Sequence, residues 1–230
     1  IPSEESYYTI GNDGRLFEIS NTAKLLLSSE YAFEKMALTE NNRLALGTQS
    51  GAILLFAIDE GRVERSEEVH SDDITSIVES NNELITSSLD GSISFLNQVT
   101  WAKQVIDLKE SVHDLLLIEN RIWALSGRNT LSIFEGMEKI RTYEPVAGTQ
   151  LTKLAFNPHA NELYLGSQKG DIWVWSLDTE SITQILSGHS SAITDIKISN
   201  DTKFVATSSL DRTVRVWPIG QENTQPIVLA

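Results

Sequence analysis

Between Lys203 and Trp217 apolar and polar residues alternate, break at a short polar turn and alternate again: KFVATSS, LDR, TVRVW. A period of two, rich in β-formers and folded about a tight turn, predicts a β-hairpin. The same grammar recurs five times upstream, as SYYTIGNDGRLFEI, RLALGTQSGAILLF, ELITSSLDGSISFL, RIWALSGRNTLSIF and ELYLGSQKGDIWVW. Each hairpin ends on a large apolar residue, in order Ile19, Phe56, Leu96, Phe134, Trp175 and Trp217, at intervals of 37 to 42 residues. Glycines at 14, 51, 91 and 170 stand in the turns, where a positive φ is required. Two more candidate strands lie between hairpins, such as SITQILS after one and AITDIKIS before the next. No segment carries a sustained helical stripe, and YAFEKMALTENN, the best rival, falls in register as the first strand of a unit.

Four short strands per repeat of this length predict an all-β chain, a β-propeller of about six four-stranded antiparallel blades. The units run approximately over 1–30, 31–69, 70–107, 108–145, 146–187 and 188–230, as one region across 1–230. The first is incomplete: it opens on its second strand at SYYTIG, because IPSEE is too short and polar to supply the innermost one. The chain ends at QPIVLA, which reads as an outermost strand, so no strand is left over to latch a ring. Two arrangements follow, an open arc cut from a longer array or a closed six-unit ring with a defective first blade. The arc is expected to expose apolar blade faces and to self-associate.

Gly188-His189, the turn at Asp211 and Trp217 resemble the repeat of the WD-repeat β-propeller family. The resemblance implies a hydrogen-bonded series of His189, Thr207, Asp211 and Trp217. It has a physical basis: a tryptophan packed between blades must pair its N–H, a hydroxyl can accept it, and imidazole can bridge hydroxyl and carboxylate. Other units keep parts of the series: His70, Thr86 and Asp90 in the third, Thr9 and Asp13 in the first, Trp175 in the fifth. The second and fourth, with Ser50 and Arg128 at the turn, keep neither aspartate nor tryptophan. On this reading the sixth unit is more rigid than the fourth. The degenerate repeats and the closing WP and QPIVL look like WD-repeat arrays at the C-terminal side of large bacterial signalling proteins, which implies an attached effector domain.

Composition narrows the partners. The 230 residues are 40% hydrophobic and 22% charged, enough for a sizeable core. A net charge of −14 disfavours phosphate backbones and anionic lipid, so neither nucleic acid nor membrane is an expected partner. The absence of cysteine excludes disulfides and fits a reducing, cytoplasmic setting.

No cofactor, metal or catalytic residue is expected. The four histidines, His70, His113, His159 and His189, lack metal-ligand spacing. His113 and Asp114 are strand neighbours and point to opposite faces, and His159 follows a turn signal. The charge-dense stretch from Asp59 to Asp73 reads as a charged outer strand and loop, with docking of a basic partner as its second reading. Function is therefore expected at the turns of a rigid scaffold, as a non-enzymatic platform or sensor for a protein or peptide. Leu89, Leu210 and Arg212 are the expected contacts. The alternative is a propeller hydrolase or lyase with its site in the axial channel, and the fold alone does not choose between the two.

Overall fold

The computed structural model describes residues 7–221 and 225–229. Among them are 23 strands in six antiparallel sheets and no helix. Sheet 1 has three strands, β1 (Tyr7–Ile10), β2 (Arg15–Ile19) and β3 (Ala23–Ser28). The other five have four each, joined in simple meanders. Sheet 2 is β4 (Phe33–Leu38), β5 (Arg43–Thr48), β6 (Ala52–Ala57) and β7 (Arg62–Glu68); sheet 3 is β8 (Ile74–Ser80), β9 (Glu83–Ser88), β10 (Ser92–Asn97) and β11 (Lys103–Asp107). Sheet 4 is β12 (Val112–Ile118), β13 (Arg121–Ser126), β14 (Thr130–Glu135) and β15 (Glu138–Tyr143). Sheet 5 is β16 (Leu151–Asn157), β17 (Glu162–Ser167), β18 (Ile172–Ser176) and β19 (Ser181–Leu186); sheet 6 is β20 (Ile193–Ile198), β21 (Phe204–Ser209), β22 (Val214–Pro218) and β23 (Ile227–Leu229). The segment YAFEKMALTENN supplies strand β4, not a helix.

The chain divides into two compact units, Ile1–Val112 and His113–Ala230. Within each, successive sheets bury their faces on one another. Alternation along β5 sends Leu44 and Leu46 to one side, against Leu16 and Phe33 where sheets 1 and 2 meet. It sends Ala45 to the other, against Ile74 and Leu84 of sheet 3. In the second unit Trp123 and Ile133 of sheet 4 meet Leu154, Leu163 and Trp175 of sheet 5. Tyr164, Ile172 and Val174 of sheet 5 then meet Ile196, Val205 and Trp217 of sheet 6. Each such side chain contributes about 1.5–3 kcal/mol on burial, an upper figure because the unfolded chain is not fully extended.

A bulge recurs where the innermost strand meets the second. Registers shift between Phe33 and Lys35, Ile74 and Ser76, Leu151 and Lys153, and Ile193 and Asp195. The residue left outside the pairing is Glu34, Thr75, Thr152 or Thr194. A bulged residue is free to turn its side chain out of its own ladder. Thr75 Oγ1 donates to Val112 O at 2.7 Å, and Thr152 Oγ1 to Ile193 O at 2.8 Å, each reaching the first strand of the following sheet.

The glycine at the second turn has two reasons to be there. Gly170 has φ +93°, and a Cβ on it would stand 2.5 Å from His189 O in the loop leading to the next sheet. Gly51 repeats this in the first unit, with φ +84° and His70 O at 2.3 Å. Gly61, with φ +65°, faces open space. Gly61→Ala is therefore expected to cost about 1 kcal/mol for the left-handed backbone alone. Gly170→Ala is expected to cost at least twice that, read from urea midpoints of the two variants, and equal losses would remove the packing role assigned to Gly170.

Burial also revises the expectation that the sixth unit is more rigid than the fourth. Strands β13 and β14 are buried along nearly their whole length, whereas β21 is buried at every second position and β22 only at Trp217. Amide exchange follows buried density, so β13 and β14 are expected to exchange more slowly than β21 and β22. The reverse order, measured by exchange mass spectrometry, would show that the hydrogen-bonded series of sheet 6 outweighs burial.

Candidate interaction surface

In sheet 6 the loop before β20 lowers His189 onto the sheet. Its Nε2 lies 2.9 Å from Thr207 Oγ1 and its Nδ1 2.8 Å from Asp211 Oδ2. Trp217 Nε1 donates to the same Thr207 oxygen at 3.0 Å. Thr207 therefore accepts from indole and donates to Nε2, which leaves Nδ1–H to donate to the carboxylate. Asp211 Oδ1 accepts from Thr213 N at 2.9 Å and Thr213 Oγ1 at 2.7 Å; Oδ2 also takes Ser190 N at 3.1 Å. Burial alone would raise the Asp211 carboxyl, but the Thr213 hydroxyl, the His189 imidazole and the two amides outweigh it and hold it well below the usual carboxylate range.

Sheet 3 uses the same parts with one substitution. His70 Nε2 lies 2.8 Å from Thr86 Oγ1, but Nδ1 meets Ser92 Oγ at 2.7 Å, and Asp90 Oδ2 is farther off at 3.4 Å. Ser92 Oγ donates to Asp90 Oδ1 at 2.7 Å and closes the relay. Leu96, at the tryptophan position, is buried without a polar role. Desolvation lowers the His70 pKa, opposed by the Asp90 carboxylate. Asp90 itself is lowered: burial works against this, but the Ser92 hydroxyl and the amides of Ser71 and Ser92 prevail.

The structure brings fewer of the remaining residues together. In sheet 1 Thr9 and Asp13 are exposed, and Asp13 meets Arg15, whose amide donates to Oδ1 at 3.2 Å and whose Nε lies 3.6 Å from Oδ2. In sheet 5 Trp175 is buried, edge-on to Tyr143 at 4.8 Å, and Leu165 fills the hydroxyl position. Its carboxylate stands two residues later than in the other turns: Asp171 Oδ1 accepts from Ser187 Oγ at 2.6 Å in the loop toward sheet 6. Ser92, Thr213 and Asp171 share one position, two residues past the turn aspartate, and carry bonds that the sequence reading missed. The legible signal was a polar side chain after D-x or K-x, as in LDGS, LDRT and QKGD.

His113 and Asp114 do point apart. His113 Nε2 donates to Gly127 O at 2.7 Å, while Asp114 Oδ2 accepts from Leu154 N at 2.9 Å. Lys153 Nζ lies 3.8 Å from Asp114 Oδ1 and donates to His113 O at 3.1 Å. These bonds tie sheet 4 to sheet 5 and form no acid–base dyad. His159 is exposed. Among the described residues no three of His, Cys, Asp and Glu are gathered as a metal site would need, and no helix is long and apolar enough to cross a membrane.

Of the expected contact residues, Leu210 is 66% exposed beside Arg212, which is exposed in a left-handed backbone with φ 68°. Leu89 is half-buried, its N–H donating to Asp73 O at 3.1 Å and its carbonyl accepting from Ser111 Oγ at 2.8 Å. The charged stretch on β7 is internally paired: Arg62 with Glu60 at 2.5 Å, Arg65 with Glu67 at 3.6 Å, and Arg43 with Glu64.

Two grooves, one in each unit, were not legible in the sequence. One, of about 550 Å³, is lined by Arg43, Leu55, Arg65, Asn82 and Trp101. The other, of about 450 Å³, has Arg121, Ile133, Arg141, Asn161 and Glu180 at the equivalent places. In each an arginine of the outermost strand lies over an aromatic ring, Arg65 at 4.2 Å from Trp101 and Arg141 at 4.4 Å from Tyr143. Trp101 and Glu180 occupy turn positions with φ 62° and 50°, where Gly61 stands in sheet 2. Glu180 uses its place to bind Arg141 Nη2 and the Tyr143 hydroxyl, at 2.8 and 3.0 Å.

Comparison with known proteins places this geometry. The family profile described as "WD domain, G-beta repeat" matches residues 180–218, the stretch that holds His189, Thr207, Asp211 and Trp217. The "66 kDa stress protein" of Physarum polycephalum is 25% identical over 185 residues, covering 78% of this chain and 30% of that protein. "Actin-interacting protein 1-2" of Arabidopsis thaliana is 26% identical over 181 residues, covering 74% and 29%. This chain thus spans less than a third of the length of either relative. Among solved structures, the "WD40 beta propeller domain of Doa1" superposes with a TM-score of 0.84 at 17% identity, over 97% of this chain and 78% of that one; at that identity the likeness is one of fold.

The pH dependence follows from the shifted groups. His70 is lowered in the folded state, so its contribution is complete above its unfolded pKa of about 6.5 and is lost as pH falls from there toward the folded value. Asp211 and Asp90 are lowered as well, so their contributions are complete above about 3.9 and are lost below it. The urea midpoint is expected to fall between pH 7 and 5, less steeply in His70→Gln. A further fall below pH 4 is expected to be blunted in Asp211→Asn. Identical pH profiles for wild type and both variants would show that neither group is linked to folding.

Proposed function

We infer that this chain, which belongs to the WD-repeat β-propeller family, is a non-enzymatic platform that binds a protein or peptide partner through the turns joining the second and third strands of its sheets. The observation that carries this reading is the tip of sheet 6. The Asp211 carboxylate is held by four hydrogen bonds, one from the His189 side chain, one from the amide of Ser190, and a hydroxyl and an amide bond from Thr213. Leu210 and Arg212 project on either side of that fixed point. An apolar side chain and a cation carried on a fixed backbone lose no main-chain entropy on binding, which suits a partner segment that pairs an apolar residue with a carboxylate. Leu89 sits in the corresponding turn of sheet 3 and offers less surface, so its share in binding is smaller.

The strongly negative charge argues for proteins as partners over nucleic acid or anionic membrane. The same reading has the chain act in the cytoplasm as the sensing part of a longer polypeptide with an effector domain, and it assigns no cofactor. The test compares proteins retained from source-cell lysate by the immobilised wild type and by Leu210→Asp with Arg212→Glu. The retained set is expected to fall at least tenfold in the double variant and to be unchanged in Gln221→Ala, at a different exposed position. An undiminished set in the double variant would exclude the sheet 6 turn as the binding surface.

A further inference from the structure

Eleven of the 18 lysines and arginines are ion-paired with a carboxylate. Among the described residues of the second unit, Arg128, Lys169 and Arg212 are exposed and have neither a carboxylate partner nor an aromatic ring beneath them. All three stand at the turn between the second and third strands, in sheets 4, 5 and 6 in succession. Arg128 and Lys169 take the place of the turn aspartate, and Arg212 follows it. At that place Asp90 and Asp211 fix a loop, accepting from Ser71 N at 2.9 Å and Ser190 N at 3.1 Å. Sheets 4 and 5 forgo that bond for a cation that pairs with nothing in its own unit. A local rule broken without an internal gain marks a position used outside the fold.

The backbone under each cation is tied to the loop leading out of its turn's neighbourhood. Arg128 O accepts from Leu151 N at 2.7 Å, Gln168 N donates to Gln150 O at 2.9 Å, and Leu210 N donates to Ala192 O at 3.0 Å. The acids at this end of the unit are drawn inward. The Asp211 side chain is 7% exposed and engaged by His189 and Ser190, while Asp171 is half-buried and accepts from Ser187. Glu144, in the loop from sheet 4 to sheet 5, is the exposed acid set against three exposed cations. The first unit carries the opposite sign in the corresponding turns and loops, at Asp13, Glu30, Asp72 and Asp73.

We propose that the second turns of sheets 4, 5 and 6 bind an acidic peptide segment, one carboxylate at each of Arg128, Lys169 and Arg212 and an apolar residue against Leu210. The inference rests on the platform reading above and names the chemistry of its partner. Packed sheets stand about 10 Å apart, so the cations are spaced by steps of about that length. A polyproline II segment advances about 9 Å per turn of three residues and shows every third side chain on one side. An acid at every third position therefore meets each cation in turn. The arginines can each take a carboxylate through two parallel bonds, and the lysine serves as a point charge. The net charge of −14 repels long polyanions, whereas a short segment meets chiefly the local field, screened over about 8 Å.

The probe is a fluorescein-labelled peptide with glutamate at every third place, proline between and leucine at one end, titrated with the 230-residue chain and read by fluorescence anisotropy. Binding is expected to weaken at least tenfold in Arg128→Glu and in Lys169→Glu. It is expected to change less than twofold in Lys203→Glu, an equal change of charge at an exposed residue between the first and second strands of sheet 6, at the opposite end. Circular dichroism checks that the variants fold. A peptide of the same composition with its glutamates contiguous is expected to bind at least fivefold more weakly. Equal losses in Lys169→Glu and Lys203→Glu, equal binding of the two peptides, or tighter binding of a DNA oligonucleotide or a phosphatidylserine vesicle overturn the proposal. A chain that ignores the peptide overturns it too. Where lysate capture still depends on Leu210 and Arg212, the platform then stands with another kind of partner; where capture fails as well, both readings fall.

Discussion

A sheet with apolar residues on both faces must bury both, and nearly everything in this chain follows from that requirement. Leu44 and Ala45 are neighbours in β5, yet one packs toward sheet 1 and the other toward sheet 3. No single sheet satisfies its own sequence. Stability is therefore held between sheets, as in other repeat architectures where each unit contacts only its neighbours. The hairpins are local; what makes them stay is not.

The polar series is secondary in energy and primary in geometry. Each neutral hydrogen bond contributes about 1 kcal/mol net, less than one buried isoleucine or tryptophan. What the series does is fix the loop between sheets. His189 sends its side chain into sheet 6 while its carbonyl stands over Gly170 of sheet 5, and His70 repeats this across sheets 2 and 3. One residue thus sets the spacing of two sheets. The His189 loop has a second anchor on sheet 5, where Ser187 donates to Asp171.

This also accounts for what the sequence made legible. The strand order was readable because period-two patterning and turn glycines are local properties; the reading of IPSEE lies outside the described residues. The four residues of the sheet 6 series were readable because they are spaced by the hairpin itself. The threonines at the bulges were not, since a bulge is visible only when two strands are paired, and Thr75 donates to a residue 37 positions away. Asp171 was missed because its carboxylate has moved two places along the turn. Trp101 was missed for a different reason: its left-handed backbone, at a place held by glycine in sheet 2, contradicts local preference, and what its ring meets there, Arg65 and the apolar cluster of sheets 2 and 3, is distant in sequence.

The same division of labour explains why the turns are the part free to vary. The residue before each turn position, Leu89 or Leu210, is anchored through its backbone, with N–H groups bonded to Asp73 O and Ala192 O. Its side chain takes no part in that anchoring. A frame built from backbone bonds, buried faces and a few polar links constrains the position of each tip and leaves its chemistry open. Leu210 is exposed and Leu89 half-covered, and the Leu89 carbonyl also accepts from Ser111 Oγ of the neighbouring loop. Sheets so alike can therefore present unlike surfaces, and recognition can change at one tip without disturbing the faces that hold the fold together.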